Sequence, residues 1–133
     1  VVVLAVVTTS RAQVGLERLV LVNADPALAH AARAGLGADY HVSTLELKPE
    51  APMAPGASNA QVIEALRSTA RQNGAAVIVW TRPSPRAQEM FVYDAATDRL
   101  LAARPLPKRP LDDVTAAAVV LSLKTLLRQP EDR

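Results

Sequence analysis

A chain of 133 residues is the size of one ordinary domain, and with half its residues apolar and 21% charged it can bury a core of its own. Fifteen Lys and Arg against thirteen Asp and Glu leave a formal charge of +2, and the only aromatics are Tyr40, Trp80, Phe91 and Tyr93, so no cationic, base-stacking surface for nucleic acid is expected. Cysteine is absent, which excludes disulfides, thiolate metal sites and a cysteine nucleophile.

The chain opens Val-Val-Val-Leu-Ala-Val-Val-Thr-Thr-Ser-Arg-Ala, an apolar run followed by small residues at Ser10 and Ala12. That pattern fits the end of a signal peptide cut after Ala12. Residues 1–12 are therefore read as a signal-peptide remnant, 13–128 as a single α/β domain and 129–133 as a polar tail. A buried first strand or the end of an N-terminal membrane anchor would share this composition, and such an anchor is the only membrane association the sequence offers.

Residues 19–23, Leu-Val-Leu-Val-Asn, are apolar without alternation, as in a strand covered on both faces. Asp25 then offers a capping oxygen and Pro26 suits the first helical position, opening a helix to about Leu36 with Leu28, Ala29, Ala32 and Leu36 on one face. Gly35 and Gly37 supply its stop. Residues 40–47 alternate, which predicts a strand nearer an edge. Pro49, Pro52, Pro55 and Gly56 make residues 48–57 a loop.

Ser58 and Gln61 have capping-box spacing, and the helix they open carries Val62, Ile63, Leu66 and Ala70 against Glu64, Arg67, Ser68 and Arg71. Asn73-Gly74 ends it. Residues 75–80, Ala-Ala-Val-Ile-Val-Trp, repeat the doubly covered strand pattern. Residues 88–94 and 99–104 read as a hairpin whose turn is braced by Asp94 and Thr97. A proline connector, residues 105–110, leads to a last helix capped by Asp112 or Asp113. That helix is apolar almost all round: Val114, Ala117, Ala118, Leu121 and Thr125 line one side, and Val119, Val120, Leu123, Leu126 and Leu127 widen it.

The element order βαβαββα implies a three-layer α/β sandwich with a mixed five-stranded sheet of order 2-1-3-4-5. The two continuous apolar strands take the middle, a C-terminal hairpin extends the sheet antiparallel, and the helix closes the fold. The first two crossovers leave strand one in opposite directions, which places a crevice at the carboxyl ends of strands one and three. Asn23 and Asp25 would line one side of it, Thr81, Arg82 and Ser84 the other, as candidates to hold a small anion.

No glycine-rich phosphate loop, zinc-helix signature or nucleophile elbow is present, and His30 and His41 fall on different elements. No cofactor, metal or enzymatic activity is therefore expected. Residues 19–28 share the strand-to-helix step of a response-regulator receiver, but no aspartate ends a strand near mid-chain.

The export signal, the helix-strand step of residues 61–80, the hairpin Met-Phe-Val-Tyr-Asp-Ala-Ala-Thr-Asp-Arg-Leu-Leu of residues 90–101 and the closing helix together resemble the amino-terminal domain of TolB-like envelope proteins. The resemblance spans residues 19–128. It implies a periplasmic or envelope protein whose domain makes protein contacts, and it carries no catalytic residue with it. Two functions follow as expectations. One is a non-enzymatic interaction module that binds another protein or its own copy through Val119, Leu123 and Leu126 of the last helix. The other is a small-ligand or sensory domain with an anion in the crevice at Asn23, Asp25, Thr81 and Arg82.

Overall fold

A computed structural model of the chain describes residues 16–47, 58–83 and 87–128. The expected signal-peptide remnant, the proline loop of residues 48–57, Ser84 and the polar tail lie outside the described residues. The elements run β1 (Glu17–Val22), α1 (Pro26–Leu36), β2 (Tyr40–Leu45), α2 (Asn59–Asn73), β3 (Val77–Pro83), β4 (Gln88–Asp94), β5 (Arg99–Leu106) and α3 (Asp113–Leu127). The sheet has the order β2-β1-β3-β4-β5 read from the sequence.

The centre of the sheet follows from composition. β1 pairs parallel with both β2 and β3, with Leu19 opposite Val42 on one side and Val77 on the other. Leu19, Leu21, Val77 and Val79 point to one face and pack against α1 and α3, whereas Val20, Val22, Ile78 and Trp80 point to the other and pack against α2. Strict alternation across two helix-covered faces explains why residues 19–22 of β1 and 77–80 of β3 are apolar at every position.

β4 and β5 complete the sheet antiparallel. Tyr93 faces Leu100 and Val92 faces Ala102, so Leu101 is an extra residue in a bulge. The bulge turns both Leu101 and Ala102 toward the α1 and α3 side while Leu100 packs on the α2 side. The turn before β5 is braced as expected: the Asp94 carboxylate accepts hydrogen bonds from the Thr97 amide at 3.2 Å and the Thr97 hydroxyl at 2.6 Å.

The helix starts are equally local in origin. Asp25 caps α1 with Pro26 behind it. Ser58 and Gln61 form the reciprocal capping box of α2, and Gly74 ends that helix at φ 60°. Leu28, Ala29, Ala32 and Leu36 are the buried face of α1.

Two readings need correction. Gly35 does not end α1: it lies inside the helix, where α3 packs closely, and a methyl group there would come within 2.7 Å of Val120 Cγ1. The phase of α3 also differs. Its core face is Ala116, Val120, Leu123 and Leu127, while Val114, Ala117, Ala118, Leu121 and Thr125 face outward. Leu123, only 1% exposed, belongs to the core and is not available to a partner; Val119 and Leu126 are half-buried beside it. A helix apolar all round carries little information about which side its own sheet covers.

Candidate functional site

The carboxyl ends of β1 and β3 gather most of the residues expected there. Asn23 follows β1 in the left-handed region, φ 57°, which asparagine tolerates better than most residues. Its amide donates to the Leu45 carbonyl at 2.8 Å, and its side-chain oxygen accepts from the Leu47 amide at 2.8 Å. Its carbonyl accepts from the Thr81 hydroxyl at 2.6 Å and also from the Arg109 guanidinium. One residue thus fastens the ends of β1, β2 and β3 to the connector before α3.

Asp25 is 3% exposed and uses both oxygens within the fold. Oδ1 accepts from the Ala27 amide at 2.9 Å, and Oδ2 accepts from the Leu111 amide at 3.0 Å. Arg109 Nε donates to Gln88 Oε1 at 3.2 Å, and Gln88 Nε2 donates to the Pro107 carbonyl at 3.0 Å. The crevice is therefore laced by the chain's own segment, residues 107–111, with Leu111 buried as its anchor.

Thr81 joins this cluster and Arg82 does not, because neighbours on a strand point to opposite faces. Arg82 lies on the α2 side, 8% exposed, with Nε donating to Glu89 Oε1 at 3.0 Å and the guanidinium 4.9 Å from the Phe91 ring centroid. The four candidate anion ligands do not converge. Sequence reasoning missed Arg109, whose only local signal is its place between Pro107 and Pro110. Among the described residues no buried side-chain polar atom lacks a hydrogen-bond partner, and no group of three His, Asp or Glu residues could hold a metal.

A second polar cluster fastens α2 to the β4–β5 turn. Arg67 Nε and Nη2 reach Asp98 Oδ1 and Oδ2 at 3.0 and 2.9 Å, a two-pronged pair, and Arg67 also contacts Glu64. The buried Tyr93 hydroxyl donates to the same Asp98 carboxylate. These hydrogen bonds, that from Arg67 first and that from Tyr93 next, hold the Asp98 carboxyl below its ordinary value of 3.8. Burial first, and then the bond to Asp98, push the Tyr93 phenol up to about 12.

These shifts give opposite pH limbs. The folded Asp98 value is depressed, so its contribution to stability is present above about pH 4 and is lost as pH falls through the folded value. The folded Tyr93 value is raised, so its contribution is present below about pH 10 and is lost as pH rises toward 12. In urea unfolding across pH, Asp98→Asn is expected to flatten the acid limb and Tyr93→Phe the alkaline one. Wild-type limbs retained in both variants would remove the cluster from the stability of the fold.

The molecule is thus a three-layer α/β domain with a mixed five-stranded sheet and helices on both faces. At the level of this architecture it is similar to TolB from Acinetobacter baumannii, with a TM-score of 0.50 and 16% sequence identity. The match covers 85% of this chain and 28% of the TolB chain, so the likeness concerns a part of that protein. No protein-family model matches the chain, and no curated protein matches it.

Proposed function

We propose that this domain is a non-enzymatic interaction module of a bacterial cell envelope, which binds another protein or its own copy through the outward side of α3. The carrying observation is a pair of exposed apolar side chains two turns apart on that helix, Val114 at 80% and Leu121 at 65% exposure, with the exposed Ala117 and Ala118 between them. Large apolar side chains in such a row favour contact with another surface. The likeness to TolB-like envelope proteins supports an envelope location and a role in protein contacts. The anion-binding reading has less support, because the Asn23 side-chain oxygen, both Asp25 carboxylate oxygens and the Thr81 hydroxyl are bonded within the fold and Arg82 is paired with Glu89.

A photo-crosslinking residue placed at Leu121 of the full-length protein in its native cells tests this reading. The protein is expected in the envelope fraction, and irradiation is expected to give an adduct that the same residue at the exposed Thr97 does not give. A cytoplasmic protein, or a folded one that gives no adduct from position 121, would overturn the proposal.

A further inference from the structure

From the distribution of charge and apolar surface on α3, we infer that the partner of this face is a second copy of the chain, docked α3 against α3 in antiparallel fashion about a two-fold axis. This inference rests on the interaction reading above and names its occupant. Val114, Ala117, Ala118, Leu121 and Thr125 form one outward stripe. Asp113 stands at its amino-terminal end and Lys124 and Arg128 at its carboxyl-terminal end. At about 100° per residue these three charges fall on the same flank of the stripe, within roughly 60° of one another. When two identical helices pack antiparallel about a two-fold axis, each flank meets its own copy. Asp113 of one chain then faces Lys124 of the other, twice in each dimer.

The register is consistent as well as the charge. The midpoint between Asp113 and Lys124 falls about one residue, roughly 1.5 Å, from the midpoint between Val114 and Leu121. A single alignment therefore sets Val114 against Leu121 of the second copy and joins both ion pairs, with Ala117 and Ala118 at the crossing. Small residues there allow the helices to approach to about 8–10 Å. In this register the cation that Asp113 of the second copy meets is Lys124, one turn before Arg128, which has Asp39 at 3.9 Å within its own chain. Pairing along the β5 edge of the sheet is less suited to the task, because β5 presents Pro105, Arg99, Arg104 and a bulge.

The dimer is expected to be weak. A helix of 15 residues is about 22 Å long and offers a footprint of a few hundred Å2, below the roughly 800 Å2 per partner of a stable interface. A concentration series is therefore needed. In sedimentation equilibrium, the mass is expected to rise from that of one chain toward twice that value, and Leu121→Asp should weaken association about tenfold or more. Asp113→Lys should weaken it by a smaller factor, with a reduced dependence on salt.

Because the chain has no cysteine, Ala118→Cys gives an independent readout. At the crossing the two Cα atoms would stand about 4–6 Å apart, within disulfide range, so mild oxidation should cross-link Ala118→Cys and leave Ala96→Cys, on the exposed turn, monomeric. A folded chain that stays monomeric at the highest concentration and does not cross-link through Ala118→Cys overturns the inference. The crosslink at Leu121 in cells separates the two claims. An adduct with a different protein, with no dimer, sinks the second copy and leaves the interaction module standing; no adduct of any kind sinks both.

Discussion

Asp25→Ala is expected to lower the stability of the folded chain by about 2–4 kcal/mol. The lost helix cap accounts for about 1 kcal/mol, since the Ala27 amide loses its acceptor at the first turn of α1. The larger part comes from the Leu111 amide, which sits in the buried anchor of the connector and has Asp25 Oδ2 as its acceptor. A buried N–H left without a partner costs about 1–3 kcal/mol. Asp25→Ser separates the two effects, because a serine oxygen can still cap the helix but is too short to bridge to Leu111. It should recover about 1 kcal/mol of the loss. Urea unfolding in plain buffer measures both variants. A wild-type midpoint for Asp25→Ala would show that the carboxylate is not what ties the connector to α1, and would return Asp25 to consideration as a ligand group.

The same residue shows how far the sequence could be read. That Asp25 caps α1 is a local fact, written in the Asp-Pro step and in the spacing of Leu28, Ala29, Ala32 and Leu36. The middle of the sheet was legible for a similar reason: the unbroken apolar runs of residues 19–22 and 75–80 fit strands covered on both faces. The second oxygen of Asp25 answers to an amide 86 residues away, and nothing near Asp25 announces it. Asn23 and Thr81 were placed correctly at the strand ends, and what fills the space between them, Arg109 and its connector, comes from far along the chain. Tyr93, Asp98 and Arg67 show the same limit. Arg67 reads as one more charge on the polar face of α2, and only the fold brings that face over the β4–β5 turn.

These contacts bear on function through what they remove. An open crevice at a strand switch point is a natural ligand site. Here most of its hydrogen-bonding groups hold the molecule together, and among the described residues the most exposed large apolar side chains, Val114 and Leu121, lie on α3. Val114 and Leu121 are exposed because the phase of α3 is fixed by Val120, Leu123 and Leu127 on its other side. The proposed docking surface is thus a consequence of how α3 seats against α1.

Gly35 decides that seating, and Gly35→Ala is expected to destabilise the chain by up to about 2 kcal/mol. On propensity alone the substitution should help, since alanine in a helix is favoured over glycine by up to about 1 kcal/mol. The added methyl, however, would lie 2.7 Å from Val120 Cγ1. Val120 is 4% exposed, and its β-branched side chain has no ready alternative rotamer in a helix, so the strain goes into the separation of α1 and α3. Overpacking of this kind costs about 1–3 kcal/mol, more than the propensity gain. Val120→Ala, costly by itself because it leaves a cavity, should make room for the new methyl. The double variant is therefore expected to be more stable than the sum of the single losses by at least about 1 kcal/mol in denaturant unfolding. Strict additivity would mean that α1 and α3 do not meet at this point, and the outward phase of Val114 and Leu121 would lose the contact that sets it.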